Sequence, residues 1–188
     1  HRQFTHSLIF IPVGALLVSL ILWLAFKKFG NPLGFRRIYL YALLGCATSG
    51  ILDACTSYGT HLLWPFTDER VAWSVVAIFD PLFSAILAVA LWAGLRSHKT
   101  LAARIGLLLA VGYLSVGWLQ HQRAEEAIRA IAQQRGHVAE KLTIKPTMGN
   151  LLLWRSIYRA DGAYHVDGVR VGMGGAGKIY AGETVRTF

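Results

Sequence analysis

Long apolar runs alternate with short polar segments along the first part of the chain. The runs cover residues 8–26, 38–55, 71–95 and 101–119. A helix that crosses a membrane needs roughly 20 mostly apolar residues, and each run approaches or exceeds that length. The pattern therefore predicts an all-α, polytopic membrane protein with about four transmembrane helices, in a membrane domain over residues 1–119. Within the last run, a row of small residues predicts a packing seam inside the helix bundle: Ala102, Gly106 and Ala110.

The pattern changes after residue 119, where apolar residues recur at helical spacing among polar ones, at Ala124, Ala127, Ile128 and Ile131. No proline follows before residue 136, so the fourth helix is expected to run on into water and to stop at Gly136. Residues 151–171 are rich in aromatic and β-branched residues, and Asp161-Gly162 and Asp167-Gly168 are hairpin turn signals. Residues 120–188 are therefore predicted to form a small extramembrane α+β tail, a helix followed by a β-hairpin.

Composition supports a membrane protein over an ordinary soluble enzyme. The 188 residues are 54% hydrophobic and 15% charged, whereas an average soluble domain is about 25% charged. The net charge of +9 is typical of nucleic-acid binders, but such domains cluster their basic residues on one face. Here seven basic residues lie in short gaps between apolar runs: Lys27, Lys28, Arg36, Arg37, Arg96, Lys99 and Arg104. We therefore expect the lipid bilayer as a partner, and no nucleic acid.

The same basic residues predict the orientation of the chain. Cytoplasmic loops carry an excess of Lys and Arg, which places the loops at 27–37 and 96–104 in the cytoplasm. The N-terminal end, the loop at 56–70 and the tail after residue 119 are then expected on the non-cytoplasmic side.

This topology brings ionisable residues from distant parts of the sequence to one face of the membrane. His1 and His6 precede the first run, Asp53 lies near the end of the second, and Arg70 and Asp80 lie around the start of the third. Imidazole and carboxylate ligands together suit Zn²⁺, Mn²⁺ or Fe²⁺. With an open position, such a site lowers the pKa of a bound water toward about 7. The arrangement is therefore a candidate hydrolytic metal site.

Other interpretations of these residues remain open at this point. His1 and His6 are five apart, about 140° around a helix, so His1 must lie in a preceding turn to face the same point. Asp80 followed by Pro81 is also an ordinary helix start, in which case the helix begins at Pro81 and residues 71–79 form an interfacial segment. An ionisable residue inside a span costs at least about 2.5 kcal/mol, which favours a functional role for Asp53.

Three hydroxyl side chains after the second run, those of Thr56, Ser57 and Thr60, have two interpretations. They could donate hydrogen bonds to a ligand carboxylate, or they could cap the end of the helix.

Several motifs occur in order: His-Arg-x-x-Thr-His-Ser at 1–7, Leu-Asp-x-x-Thr-Ser-Tyr-Gly-Thr at 52–60, Leu-Trp-Pro-Phe at 63–66 with Arg70, and Asp-Pro at 80–81. Together they resemble the bacterial membrane-bound metal-dependent hydrolase family, also described as LexA-binding, inner membrane-associated hydrolases. The resemblance covers residues 1 to about 96. It implies a multi-pass protein of the bacterial inner membrane with a metal-dependent hydrolase activity. It also implies His1, His6 and Asp53 as metal ligands, with Asp80 and Arg70 as site residues.

The chain departs from that family in two respects. Many members have a histidine where this chain has Ser49, and members usually have an upstream segment with further aspartates. Since the chain begins at His1 without a methionine, we expect it to be a trimmed fragment that lacks part of that site.

The leading hypothesis is an enzyme that uses metal-activated water, with zinc as the expected ion and manganese or iron as alternatives, to hydrolyse an ester or phosphoester. Asp80 would be a further ligand or a general base, and Arg70 and Arg2 would neutralise an anionic substrate. Because the site lies at the bilayer edge, a lipid-linked substrate is expected. The alternatives are a non-catalytic inner-membrane structural or stress-response protein, or a small ion or proton transporter that uses Asp53 and Asp80, although four spans without a repeat are few for a transporter.

Overall fold

The computed structural model describes residues 6–30, 33–172 and 177–186. Within these ranges lie four helices, α1 (Phe10–Lys28), α2 (Phe35–Cys55), α3 (Pro81–Ser97) and α4 (Thr100–Gln134), and four strands, β1 (Lys141–Pro146), β2 (Leu153–Ala160), β3 (Ala163–Arg170) and β4 (Lys178–Arg186). The chain divides into two compact units, His1–Trp73 and Ser74–Phe188. The fold is that of a helical membrane protein with an α+β tail, as the sequence predicts.

The first unit is built on the pair of helices α1 and α2, which pack against each other. α1 has 19 residues and α2 has 21, and both are long and apolar enough to cross a membrane. Two basic residues, Lys27 and Lys28, occupy the last turn of α1. Near the connection between the helices, the Trp23 and Phe35 rings meet edge to face with centroids 6.1 Å apart. Most other side chains of both helices are left facing outward, as lipid contact requires.

The apolar helices of the second unit are α3 and α4, which pack against each other. A Cβ on Gly106 of α4 would overlap the Cβ of Ala90 on α3, so the absence of a side chain there permits close approach. The row of small residues is thus a packing seam within the bundle, as predicted. α4 is long and apolar enough to span a membrane, whereas α3, with 17 residues, is shorter. The described residues therefore supply three candidate spans and one shorter apolar helix.

α3 begins later than the apolar run at 71–95 suggests. Asp80 is its N-cap and Pro81 its first residue, because the aspartate accepts a backbone N–H and proline fits the first helical position. The preceding residues are not helical, yet Val75, Val76 and Ala77 are buried. Val75 packs on α4 at Gly117, where a Cβ would lie 2.6 Å from the Val75 carbonyl oxygen.

α4 is longer than a membrane span requires. Its 35 residues extend about 52 Å, whereas the hydrocarbon core is about 30 Å thick. It ends where predicted: Gly136 has φ 75°, its N–H donates to the Gln133 carbonyl, and the His137 N–H donates to the Ala132 carbonyl. This pair of bonds is a Schellman motif.

The C-terminal half of α4 packs on an antiparallel sheet with strand order β1-β2-β3-β4. Small and branched residues of the helix meet a closely packed face of the sheet, forming one buried cluster: Ala124, Ile128, Ala132, Ile144, Trp154, Tyr158, Ala160, Val169 and Val171. The tail therefore has its own hydrophobic core and a larger sheet than the single predicted hairpin.

Only one of the two predicted turns is a turn. Asp161 and Gly162 have φ of 51° and 71°, as a two-residue type I′ hairpin requires, and they join β2 to β3. The prediction for Asp167-Gly168 is wrong, since both residues lie inside β3. Asp167 is buried there because its carboxylate pairs with Arg135, at 2.7 Å.

Candidate metal centre

His6 lies in a turn immediately before α1. The Ser7 carbonyl accepts the N–H groups of Phe10 and Ile11, and the Leu8 N–H donates to the Leu62 carbonyl at 2.9 Å. These bonds fix the segment that carries His6 against both the start of α1 and the loop that follows α2.

Asp53 lies in the last turn of α2, and one turn before it is Gly50. A Cβ on Gly50 would lie 3.3 Å from the His6 carbonyl oxygen, so glycine at this position lets the His6 segment approach the helix closely. The Thr56 hydroxyl donates to the Asp53 backbone carbonyl at 2.8 Å. Of the two interpretations of Thr56, the structure therefore supports capping of the helix end, since the hydroxyl donates to the backbone of Asp53.

The structure brings the side chains of His6 and Asp53 together. His6 Nδ1 lies 3.4 Å from Asp53 Oδ2, with side chains 30% and 46% exposed. A tetrahedral zinc with bonds of about 2.0–2.1 Å separates two of its ligand atoms by about 3.4 Å, so the pair fits two corners of such a site. The same distance forms an ion pair when the imidazole is protonated. Both side chains are open enough for a ligand to reach them.

The predicted residues His1 and Arg2 lie outside the described residues. Within the described ranges, no group of three or more His, Cys, Asp or Glu side chains is close enough to hold a metal ion. The ligand set His1, His6 and Asp53 therefore stays a prediction, of which the His6–Asp53 contact is the part that the structure describes.

Arg70 belongs to the loop that follows α2. Its guanidinium carbon lies 4.4 Å from the centre of the Tyr58 ring, an arrangement that holds a cation over an aromatic face. Two backbone bonds of 2.9 Å between Thr60 and Val71 close the loop. Gly59, with φ 66° and a virtual Cβ 2.5 Å from the Val71 carbonyl, is required at the crossing. The loop thus presents Arg70 in a defined position within the first unit.

His61 is a residue of the site region that sequence reasoning missed. Its Nδ1 is buried without a hydrogen-bond partner among the described residues, which is costly for a polar atom. It adjoins Leu62, whose carbonyl bonds to the His6 segment. Only its place between the motifs at 52–60 and 63–66 could have indicated it.

Asp80 belongs to the second unit and is 4% exposed. One carboxylate oxygen accepts the Phe83 N–H at 3.0 Å, and the other accepts the Tyr113 hydroxyl at 2.7 Å. The helix-cap interpretation of Asp80 is therefore confirmed, with a bond to α4 that the sequence did not reveal. Its proposed roles as a ligand or a general base remain predictions.

The matching family model and one of two curated relatives are described as inner membrane proteins. The family model described as "YdjM inner membrane protein" matches residues 1–124. The chain is 26% identical over 168 residues to the "Uncharacterized protein YfhP" of Bacillus subtilis (strain 168), covering 88% of this chain and 49% of that protein. It is 28% identical over 127 residues to the "Inner membrane protein YbcI" of Escherichia coli (strain K12), covering 65% of this chain and 67% of that protein. The chain thus spans about half the length of the first relative and two thirds of the second. No solved structure matches.

Proposed function

The chain belongs to the YdjM inner membrane protein family, and on that premise we propose that it is a metal-dependent hydrolase of esters or phosphoesters. The observation that supports this most is the 3.4 Å approach of His6 Nδ1 to Asp53 Oδ2. The two residues are 47 positions apart in the chain, and the fold brings an imidazole and a carboxylate, both ligand types that zinc accepts, to within contact of each other. His1, which precedes His6 by a short segment, is the proposed third ligand.

His6 and Asp53 would hold a divalent ion, with zinc the expected one and manganese or iron as alternatives. When bound, the ion would supply a water of lowered pKa and an electrophile for the substrate. Arg70, and Arg2 beside His1, bind and neutralise an anionic substrate. The cation of Arg70 is already oriented by the Tyr58 ring, so little conformational freedom is lost on binding.

The proposed substrate is lipid-linked. Asp53 lies in the last turn of a helix long enough to span a membrane, which supports a position of the pair near the bilayer surface. In the adjoining loop, Leu63 is 48% exposed and Phe66 is 82% exposed, and apolar residues at this level enter the headgroup region. A site at this depth is reached by a headgroup without removing the lipid from the bilayer.

We further propose that the site faces the non-cytoplasmic side of the inner membrane. The basic residues that flank the α1–α2 and α3–α4 connections favour the cytoplasm for both connections. A single cysteine introduced at Thr67, in the loop after α2, should then react with a membrane-impermeant maleimide in intact cells, after Cys46 and Cys55 are replaced by alanine. Reaction only after lysis contradicts this orientation.

Hydrolysis of two chromogenic probes tests the activity: bis(p-nitrophenyl) phosphate and p-nitrophenyl butyrate, with the purified chain in detergent. We expect the chain to hydrolyse at least one of the two probes, a chelator to abolish that hydrolysis, and added zinc to restore it. Asp53→Asn should lower the rate by more than the roughly 10–100-fold that loss of an outer partner of a metal ligand costs. Arg70→Ala should raise KM for the phosphoester more than for the uncharged ester.

Matched controls are Asp68→Asn and His98→Gln, which change exposed residues of the same types. They should leave the rate unchanged. Equal rates for Asp53→Asn and the parent chain, or hydrolysis that a chelator does not affect, would contradict the proposal and favour a non-catalytic membrane protein.

A further inference from the structure

Two histidines meet in the extramembrane part of the second unit, where no function has been assigned. The ring centroids of His137 and His165 are 4.4 Å apart, with planes tilted by 32°. His137 follows the end of α4, and His165 lies in β3. Both side chains are partly exposed, so a small ligand can reach the pair.

The fold fixes both residues from the backbone outward. The N–H of His137 bonds to the Ala132 carbonyl in the Schellman motif that ends α4, which directs the chain back over the sheet. His165 lies between its two cross-strand neighbours. It is paired with Tyr158 on β2 and with Thr184 on β4. Directly paired residues of an antiparallel sheet point to the same face. That face is the one against which α4 ends.

Hydroxyl groups engage the same nitrogen of each ring. His137 Nδ1 lies 3.1 Å from the Tyr158 hydroxyl, and His165 Nδ1 lies 3.1 Å from the Thr184 hydroxyl. Neither Nε2 has a hydrogen-bond partner among the described residues. Histidines that bind metals usually donate their other N–H to an oxygen, which fixes the tautomer and the ring orientation. From this geometry we propose that His137 and His165 bind a divalent transition-metal ion through their Nε2 atoms.

The hydrogen bonds around the pair are compatible with that role. With the ion on Nε2, each Nδ1 carries its proton and donates it to a hydroxyl. The Tyr158 oxygen already accepts from Arg135 Nη1 at 3.0 Å, and its second lone pair accepts from His137. The positive charge of Arg135 is balanced by Asp167 through bonds of 2.7 and 3.3 Å, which reduces its repulsion of a cation.

The donor set indicates the kind of ion. Imidazole suits zinc, copper and nickel, whereas magnesium and calcium prefer oxygen ligands. The described residues contribute two nitrogens and no third His, Cys, Asp or Glu at ligand distance. Water or an external donor completes the coordination, so the site is open. This proposal does not depend on the hydrolase proposal, since the two sites share no residue.

Copper binding tests the His137–His165 site. The purified full chain carries His6→Ala and Asp53→Ala, so that the His6–Asp53 pair cannot contribute. Electron paramagnetic resonance of one added equivalent of Cu²⁺ should show splitting from two nitrogens. His137→Gln and His165→Gln should each remove one of them. Thr184→Val, which removes an exposed hydroxyl, should keep both nitrogens and weaken zinc binding about 10-fold, within the range for loss of an outer partner.

His98→Gln is the matched control, since it removes an exposed histidine elsewhere in the same unit. It should leave the spectrum and the zinc affinity unchanged. Circular dichroism of each variant checks that the sheet has formed. A spectrum without two-nitrogen splitting in the parent chain, or one that His165→Gln does not alter, overturns the proposal.

Discussion

Replacement of Asp80 by alanine tests whether this carboxylate holds two helices together. The change removes the N-cap of α3, in which Asp80 Oδ1 accepts the Phe83 N–H at 3.0 Å. It also removes the 2.7 Å bond from the Tyr113 hydroxyl of α4. Loss of an N-cap costs about 1 kcal/mol, and loss of a hydrogen bond to a charged group costs about 1.5–3 kcal/mol. We expect a total destabilisation of about 2.5–4 kcal/mol.

Hydrogen–deuterium exchange of the chain in detergent measures this locally. Amides exchange through openings of the structure, and 1.4 kcal/mol corresponds to a factor of ten. Exchange at the amides of Phe83 and Ser84 should therefore accelerate roughly 100- to 1,000-fold in Asp80→Ala. In Asp80→Asn it should accelerate less than in Asp80→Ala, because asparagine caps a helix as well as aspartate and its amide nitrogen can donate a weaker, uncharged hydrogen bond to the Tyr113 oxygen.

Asp68→Ala, in an exposed loop, is the control and should not alter exchange in α3. Tyr113→Phe should produce only the share of the effect that comes from its hydroxyl. If Asp80→Ala leaves exchange at the start of α3 as it is in the parent chain, the structural interpretation of Asp80 is refuted. If Asp80→Asn is stable but loses hydrolysis of the chromogenic probes, a catalytic role is added to the structural one.

Two further predictions concern packing and a buried ion pair. Gly106→Ala should destabilise the α3–α4 pair by about 1–3 kcal/mol through overlap with Ala90. Gly112→Ala is the control, since a Cβ there meets no described atom within 4 Å, and it should be neutral or stabilising by up to about 1 kcal/mol. The two variants are compared by unfolding in a denaturing detergent. Equal unfolding midpoints for both variants would contradict the packing seam. Asp167→Ala should destabilise the sheet by about 1.5–3 kcal/mol, because the buried carboxylate accepts hydrogen bonds from Arg135 and from the Gly182 N–H. Unchanged exchange in β2 and β3 would contradict this.

Local signals predicted much of the fold. Apolar runs of sufficient length located the helices, and Gly136 ended α4 because its conformation, φ 75°, suits glycine. The two Asp-Gly pairs show where such signals fail. Asp161-Gly162 forms a turn, whereas Asp167 is placed inside β3 by a bond to Arg135, 32 residues earlier in the chain. A partner so distant leaves no trace in the local sequence.

The same limit applies to the candidate site. The contact of His6 with Asp53 follows from topology, because the start of α1 and the end of α2 lie at the same end of the first unit. The bond of Tyr113 to Asp80 and the buried Nδ1 of His61 depend on how side chains pack, which hydrophobic periodicity does not encode. The start of α3 at Pro81 was open to prediction, since Asp-Pro is a local signal that competed with a longer apolar run.

The metal content of the purified chain tests the central claim most directly. The test uses the chain carrying His137→Gln and His165→Gln, so that the second proposed site contributes no metal. After passage over a chelating resin, which removes weakly held ions, elemental analysis should find roughly one equivalent of zinc, manganese or iron. That equivalent should be lost in both His6→Ala and Asp53→Ala and kept in His98→Gln and Asp68→Asn. A parent chain that retains no metal after resupply, or an Asp53→Ala variant that keeps the full equivalent, would contradict a metal centre built on His6 and Asp53.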